Sequence, residues 1–369
     1  MIKVLHTESS EGWGGQEIRS LVEVEYLCGH PDFCASLVVS KNGQHKVRGV
    51  GYKLNVIEAD IGRKSLKGLI SMYLTIRDAK PHLVVCHSST DAWLATIAVK
   101  LIPQNVKLVR FRHVRAPVNN GIATRWLYSQ ADAVVTTSAD IRAHLLSVLR
   151  LGSDRVQSLP TGVDTNVYKK ASKSDSRMKL VCDRQKYVQG DQKVTLALMV
   201  STLRSWKGHR YVIEAVQQLP SVRLLIVGDG PQADALQRQV KDLGLVERVF
   251  FLGFHASVRK FLDIADIFIQ PSYANEGVSQ SLLQACAMEL PLVVSDIGGL
   301  NEVIVHEVNG LLVPPHDVGA LVTSISRLIN ETELALRLGK KARETVIESH
   351  GLDIMFSKTL ALYRGLLKK

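Results

Sequence analysis

The sequence is poor in cysteine, in aromatic residues and in long apolar runs. Its five cysteines are odd in number and form no C-x-x-C pair, so we expect buried thiols in a reducing compartment rather than disulfides or a metal site. The longest apolar runs, such as LVVC at 83–86, are strand-sized and far shorter than the ~20 residues of a membrane span. Because MIKVLHTESS carries no signal-peptide pattern, the sequence predicts a cytoplasmic protein.

Two cofactor signatures are also missing. The Gly-rich turn EGWGGQE at 11–17 follows the first predicted strand, but it is not G-x-G-x-x-G and no acidic residue ends the second strand, so nicotinamide binding is not expected. No Asp-x-Asp pair stands at a strand end. The sequence therefore predicts no metal ion and no other cofactor.

Positive charge is in excess, at +11, and it is unevenly spread. Residues 92–131 contain six basic side chains and no acidic one, and a second basic group brackets the predicted helix at 64–79. Such patches favour a partner that carries phosphate, namely nucleic acid, anionic lipid or a phosphorylated substrate, whereas the alternative is a solvated basic face. No DNA- or RNA-binding module is visible, so nucleic acid is not an expected partner.

Predicted strands and helices alternate along the chain, which is typical of α/β proteins with parallel, doubly wound sheets. The length suits two domains. We predict a first Rossmann-like domain at 1–168, a lysine-rich linker at 169–193, a second Rossmann-like domain at 194–350 and a last helix at 351–369. In such folds ligands bind beyond the carboxyl ends of the strands, and in a two-domain protein they bind in the cleft.

The second predicted domain carries three motifs at strand ends. The loop STLRSWKG at 201–208 brings two cations after its first strand, where they could hold a diphosphate. Gly228 opens the turn GDGP. Glu276 and Gly277 precede a predicted helix whose first amides are free to bind phosphate. The carboxylate of Glu276 can accept sugar hydroxyls, and the amide of Gln284 lies two turns along the same helix face. A similar turn, Gly298-Gly299-x-x-Glu302, predicts another strand-to-helix junction.

These motifs stand in the order GGQE, SLPTGVD, KG, LIVGDGP, FLGF, NEGVSQSLLQACAMELPLVVSDIGGLNEVI and NGLLVPP. In that order they resemble the retaining glycosyltransferases of family 4, and the resemblance covers essentially the whole chain. It implies the GT-B fold, in which two Rossmann-like domains face each other across a cleft and a C-terminal helix returns to the first domain. It also implies transfer of a sugar from a nucleotide diphosphate sugar with retention of anomeric configuration and without a metal ion.

The resemblance assigns roles to individual residues. It implies that His113 and Glu276 act at the transferred sugar, that Lys207 binds the diphosphate and that Gly15 approaches the donor phosphates. Two positions depart from the family: Gln284 replaces its second acid and Thr202 replaces its arginine, whose charge Arg204 could supply from the same loop. The predicted donor-binding residues are Gly14, Gly15, Thr202, Arg204, Lys207, Gly228, His255, Gly277, Val278, Ser279 and Gln284.

The basic first domain suggests an acceptor that carries phosphate or lipid, such as a lipopolysaccharide core or a polyprenyl-linked glycan. Candidate acceptor-binding residues are His87, Arg112 and Arg115. The stretch 64–79 could lie on an anionic membrane surface or could cover the sheet as an ordinary helix. Its apolar residues at helical spacing are Leu66, Leu69, Ile70, Tyr73 and Ile76.

Four other functions stay open at this point. A sugar-nucleotide epimerase has the same architecture, and a periplasmic-type binding protein also has two α/β domains, although the missing signal peptide counts against the latter. A nucleic-acid binder could use the basic stripe, although no RNA- or DNA-binding module is visible. The fourth is a catalytically weakened homologue, because Thr202 and Gln284 depart from the family.

Overall fold

The computed structural model describes residues 1–44, 54–170, 183–188, 194–274 and 276–368. Most of the predicted linker at 169–193 lies outside these residues. The chain forms two compact units, of which unit 1 comprises Met1–Thr161 and Asp353–Lys369 and unit 2 comprises Gly162–Leu352.

Unit 1 is built on a seven-stranded parallel sheet with the strand order β3-β2-β1-β4-β5-β6-β7. The strands are β1 Ile2–Glu8, β2 Phe33–Ser40, β3 Val56–Ala59, β4 Leu83–Cys86, β5 Lys107–Arg112, β6 Ala133–Thr136 and β7 Val156–Ser158. The strands β4 and β6 are buried at every residue. That pattern is typical of a parallel sheet with both faces covered, and it explains why these strands are short apolar runs rather than alternating ones.

Helices cover both faces of this sheet. The helices of unit 1 are α1 Gly15–Gly29, α2 Leu66–Ala79, α3 Ser89–Leu101, α4 Ile122–Ser129, α5 Ala139–Leu149 and α12 Leu352–Leu367. Residues of α1 and α12 share one apolar cluster with the sheet, and residues of α2 and α3 share another. The last helix, α12, is held by Phe356, which stacks on Tyr26 at 3.6 Å, and by Tyr363, whose Oη donates to Glu23 at 2.5 Å.

Unit 2 has a six-stranded parallel sheet with the order β10-β9-β8-β11-β12-β13. The strands are β8 Thr195–Val200, β9 Val222–Val227, β10 Val249–Phe251, β11 Ile267–Gln270, β12 Leu292–Ser295 and β13 Leu311–Val313. The helices are α6 His209–Gln217, α7 Ala233–Asp242, α8 Arg259–Ile264, α9 Gln280–Ala287, α10 Val318–Asn330 and α11 Thr332–Ser349. Two apolar clusters line the two faces of this sheet. The predicted fold class, two doubly wound α/β sheets, is confirmed.

In each sheet the direction of winding changes between two central strands. The change falls between β1 and β4 in unit 1 and between β8 and β11 in unit 2. Loops that leave such a pair of strands turn to opposite faces and open a crevice at the carboxyl edge of the sheet, where ligands of α/β proteins bind. A ligand site is therefore expected in the loops after these four strands, two in each unit.

One predicted junction is wrong. The turn Gly298-Gly299-x-x-Glu302 does not open a helix, because Gly298–Leu300 forms a single 3-10 turn and the chain continues in turns before β13. Among the described residues, no helix is both long and apolar enough to cross a membrane.

Candidate active site

The crevice of unit 2 contains an ion pair between two residues that are far apart in sequence. Lys207 ends the loop after β8, and its Nζ donates to Oε1 of Glu276, in the loop after β11, at 2.5 Å. The Glu276 side chain is 6% exposed and that of Lys207 is 18% exposed. The structure thus brings together the two residues that the sequence analysis assigned to the diphosphate and to the sugar.

Two glycines allow the loops at this crevice to approach each other. Gly208 follows Lys207 with φ of 76°, and a Cβ there would lie 2.0 Å from the carbonyl oxygen of Pro271. A Cβ on Gly299 would lie 2.4 Å from the carbonyl carbon of Gly277. Any side chain at either position would push apart the loops after β8, β11 and β12, so the geometry around Glu276 depends on both glycines.

The helix α9 begins directly after this loop. Ser279 is its N-cap and accepts a hydrogen bond from the amide of Leu282, while Val278 is buried in the core of the unit. Glu276 does not cap the helix, since its carboxylate pairs with Lys207. The N-terminus of α9 therefore directs its partial positive charge and unpaired amides towards the crevice, beside the Lys207 cation.

Gln284 is fixed by a residue that the sequence analysis missed. Its Nε2 donates to Oη of Tyr168 at 3.0 Å, and the side chain of Gln284 is buried. Because the amide NH₂ is directed towards Tyr168, Oε1 faces away from that bond as an acceptor, the role that a carboxylate would have at this position. Tyr168 lies 116 positions away in sequence, and no local pattern marks it.

The other predicted donor residues of unit 2 lie at the same edge of the sheet. Thr202 is half-buried in the loop after β8. Arg204 is exposed, with its guanidinium 5.2 Å from the centre of the Trp206 ring. The amide of Gly228 donates to the carbonyl of Gly253. His255 is half-buried, its Nε2 pairs with the carbonyl of Leu252, and burial lowers its pKa.

Three histidines form a hydrogen-bonded row at the crevice of unit 1. Nδ1 of His6 lies 2.9 Å from Nε2 of His87, and Nδ1 of His87 lies 3.1 Å from Nε2 of His113. His6 belongs to β1, while His87 and His113 follow β4 and β5, so adjacent strands align the rings. Both ring nitrogens of His87 are engaged, so a direct contact between His87 and an acceptor would require one of these bonds to break.

The row has a consequence for proton positions. Burial lowers the pKa of His6 to about 4 and that of His113 to about 3, so both rings are neutral at pH 7. A neutral imidazole carries a single N–H, so in a row of neutral rings every link must donate in the same direction. When His87 is neutral as well, the ring nitrogen of His6 that carries the proton decides whether Nδ1 of His113 is a donor or an acceptor.

Two buried carboxyl groups lie beside this row, and the sequence analysis missed both. Glu8, at the end of β1, accepts hydrogen bonds from the amide of Ser10 at 2.9 Å and from Nε2 of Gln16 at 2.7 Å. Burial and the nearby charge of Asp91 raise the pKa of Glu8 well above its usual range. The two hydrogen bonds of Glu8 join Ser10 and Gln16, which lie on the two sides of the turn that contains Gly14. Gly15 is the first residue of α1.

The candidate acceptor arginines are already bonded within unit 1. Nη2 of Arg112 donates to the carbonyl of Ala116 at 2.6 Å, and Nε of Arg115 pairs with Asp140 at 2.7 Å. In the described part of the chain, no group of three His, Cys, Asp or Glu side chains is placed to hold a metal ion.

Comparison with known proteins identifies the family. Residues 183–345 match the model of "Glycosyl transferases group 1", and residues 17–167 match that of "Glycosyltransferase Family 4". The two matches together span most of the chain, one in each unit. The chain belongs to the GT-B glycosyltransferases.

Individual relatives of this glycosyltransferase are distant. "Uncharacterized glycosyltransferase MJ1607" of Methanocaldococcus jannaschii is 29% identical over 63% of the chain, an alignment that spans only 59% of that relative. A UDP-Gal:alpha-D-GlcNAc-diphosphoundecaprenol alpha-1,3-galactosyltransferase of Escherichia coli is 25% identical over 81% of the chain and 79% of the relative. The crystal structure of Anabaena Alr3699/HepE in complex with UDP and glucose is similar with a TM-score of 0.85 and 19% identity, over 99% of this chain and all of that one.

Proposed function

We propose that this glycosyltransferase transfers a sugar from a nucleotide diphosphate sugar, of UDP or GDP type, to a glycan or lipid-linked acceptor in the synthesis of a cell-surface polysaccharide or lipopolysaccharide. Unit 2 binds the donor and unit 1 binds the acceptor. The Escherichia coli relative and the Anabaena structure, whose names include UDP-Gal and UDP, support the donor class. The observation that carries the proposal is the Lys207–Glu276 pair beside the N-terminus of α9.

The ion pair suits a site that exchanges partners when the donor binds. In the structure Lys207 and Glu276 neutralise each other at 2.5 Å. A diphosphate offers Lys207 a stronger, doubly charged partner, and the amides of α9 add to it. Glu276 is then released to accept two hydroxyl groups of the sugar, and Oε1 of Gln284 accepts from the ribose.

The proposed reaction is a substitution on one face of the sugar, which retains the anomeric configuration. The acceptor hydroxyl oxygen forms a bond to the anomeric carbon while the bond between that carbon and the diphosphate oxygen breaks. The electron pair of the broken bond leaves with the diphosphate. An oxygen of the β-phosphate takes the hydroxyl proton. Lys207 and the α9 amides stabilise the developing charge of the diphosphate, so the reaction needs no metal ion. His113 is the proposed contact of unit 1 with the transferred sugar.

The surface of unit 1 fits an acceptor at a membrane. In α2 the buried residues are Gly68, Met72 and Ile76. This helix therefore covers the sheet, which is one of the two alternatives that the sequence left open for residues 64–79. A second stripe, Leu66, Ile70 and Leu74, is 74%, 51% and 39% exposed. Apolar residues at this spacing beside Lys64 and Lys67 are typical of helices that lie on anionic membranes. We propose a peripheral contact of this stripe with such a surface.

Two alternatives have a defined basis. One alternative is a homologue with weakened catalysis, because Thr202 replaces the arginine of the family. The other is an epimerase, which would use the same donor without an acceptor. Mass analysis of donor incubated alone separates the epimerase, since only that activity yields an isomeric sugar nucleotide in the absence of an acceptor.

The first test is a thermal-shift screen of UDP, GDP, ADP and their common sugar conjugates against three proteins. These are the wild type, Lys207→Ala and the matched control Lys241→Ala, which removes an exposed lysine of α7. At a concentration about 100 times Kd, a ligand should stabilise wild type by roughly 2.7 kcal/mol. We expect Lys207→Ala to lose most of this gain and Lys241→Ala to keep it. An equal gain in Lys207→Ala would refute the assignment of the diphosphate site.

A further inference from the structure

The two buried arginines of unit 1, Arg19 and Arg110, differ in their hydrogen bonds. Arg110, on β5, is 6% exposed, and its guanidinium carbon lies 3.9 Å from the centre of the Tyr128 ring. Within the described residues, Nε and Nη1 of Arg110 have no hydrogen-bond partner, and neither has the buried Oη of Tyr128. By contrast, buried Arg19 pairs with Glu23 at 3.2 Å and donates to the carbonyl of Leu159, and only its Nη2 has no partner within the described residues.

No acidic side chain of the described residues forms an ion pair with Arg110. Asp91 is the carboxylate whose charge reaches it, but the oxygens of Asp91 already accept from Thr7, Ser9 and Ser88 and from the amide of His87. Residues 92–131 contain no acidic residue at all. A buried cation without an ion-pair partner lowers folding stability, which is tolerated where the cation binds an anionic ligand.

A second cation, Lys64, lies against a pair of tryptophans. Burial and, to a smaller extent, the charge of Arg110 lower the pKa of Lys64. Nζ of Lys64 lies 5.3 Å from the centre of the Trp93 ring, and Trp93 stacks on Trp126 at 6.0 Å. Trp126 is 40% exposed, so this aromatic pair reaches the surface.

We propose that Arg110, Lys64 and the hydroxyl of Tyr128 bind a phosphate group of the acceptor, and that the Trp93–Trp126 pair contacts the group next to it. This site rests on the proposed function, because an acceptor exists only if the protein is a glycosyltransferase. A guanidinium edge offers two parallel N–H donors to an oxyanion, the tyrosine hydroxyl adds a third and the lysine adds charge. Two cations with three fixed donors match a phosphate dianion better than a carboxylate, which carries a single charge.

The test measures phosphate binding where the donor site has been removed. In a Lys207→Ala background, sodium phosphate and pyrophosphate are titrated at constant ionic strength, and tryptophan fluorescence and melting temperature are recorded. Tyr128→Phe is the main variant, because the removed hydroxyl has no bonded partner and its loss should not lower the melting temperature. Arg110→Met removes the charge at similar length. The control Arg77→Met removes an arginine whose side chain is 52% exposed and paired with Asp78.

We expect the phosphate affinity to fall about tenfold in Tyr128→Phe, a loss of one bond to an ion. We expect it to disappear in Arg110→Met and to stay unchanged in Arg77→Met. Arg110→Met should melt no lower than its parent without ligand, because it loses a buried charge that has no ion-pair partner. Phosphate binding that is equal in all four proteins would overturn the proposal, and so would a fluorescence change that occurs in Tyr128→Phe at unchanged affinity.

Two further arms identify the source of the phosphate. One uses a soluble sugar phosphate, and the other uses phosphatidylcholine vesicles with and without phosphatidate. A lipid-linked acceptor predicts that Arg110→Met weakens binding to phosphatidate vesicles, whereas a soluble acceptor predicts that only the sugar phosphate depends on Arg110. If binding depends on Arg110 in neither arm, the result contradicts the proposed site. Because donor binding is tested through Lys207 in unit 2, the phosphate site and the transferase activity can fail separately.

Discussion

The two crevices occupy the same position in their sheets and yet hold opposite kinds of chemistry. In unit 1, His6 and Glu8 on β1 and His113 after β5 are buried, and their pKa values are shifted towards the neutral form. In unit 2 the strands β8 and β11 lead to a full ion pair between Lys207 and Glu276. Topology therefore decides where a site forms, whereas the side chains at the strand ends decide whether it meets charge or neutral polar groups.

The largest expected effect tests how the charged crevice is built. Gly208→Ala forces a Cβ to 2.0 Å from the Pro271 carbonyl at a positive φ, whereas Gly244 has a similar φ of 68° with no atom within 4 Å. Gly244→Ala should cost only the left-handed strain, about 1 kcal/mol of unfolding free energy. Gly208→Ala should cost about 3 kcal/mol or more, because a loop must also move. Urea unfolding of both variants measures the difference, and equal losses would mean that the close approach does not matter.

The two buried histidines at the crevice of unit 1, His6 and His113, should make the stability depend on pH. The unfolded imidazoles of His6 and His113 take up protons near pH 6.5, whereas the folded ones stay neutral down to about 4 and 3. Below pH 6.5 the unfolded state binds more protons, so stability falls as pH falls towards 4 and is independent of these groups above 6.5. Each histidine should cost about 2 kcal/mol at pH 5.

The measurement is the unfolding free energy of wild type and His113→Gln from pH 8 to pH 5. The raised pKa of Glu8 acts with the opposite sign, since its contribution is lost as pH rises, but it is common to both proteins. His113→Gln should therefore lose about 2 kcal/mol less than wild type across this range. Parallel curves would show that His113 is not held neutral.

A smaller effect separates the two partners of the ion pair. Glu276→Gln removes the charge that competes with a diphosphate for Lys207, so UDP affinity should rise by about three- to tenfold. Turnover should fall, because an amide replaces an oxygen that accepts from the sugar. Calorimetry with UDP and a transfer assay measure the two effects, and a loss of UDP affinity would mean that the pair does not open when the donor binds. Glu302→Gln, in the same sheet edge, is the control.

The smallest expected effect concerns Gln284. Tyr168→Phe removes the acceptor of its amide group, so Oε1 is no longer directed and donor affinity should fall about threefold. In Gln284→Glu, both oxygens are acceptors and the ribose contact no longer depends on the orientation of an amide. Adding Tyr168→Phe to Gln284→Glu should then cost less than it does in wild type, and a double-mutant cycle measures this coupling. Additive effects would argue against a positioning role for Tyr168.

The sequence was sufficient for the class of fold and for the positions of several strand ends, because both follow from local properties. Apolar runs of strand length, amphipathic helices between them and glycines after strands are readable within a few residues. The motif around Glu276 was recognisable for the same reason. The helix predicted after Gly298-Gly299 failed at this level, since the chain reaches β13 through turns.

Side-chain partners required the tertiary structure. Lys207 and Glu276 are 69 positions apart and meet because β8 and β11 are neighbours, an order that no local pattern encodes. The histidine row depends in the same way on the adjacency of β1, β4 and β5. The isolation of Arg110 is likewise visible only once its neighbours are known. Local sequence determines which elements form, whereas strand order and packing decide which charges are paired, because those contacts join residues that are distant along the chain.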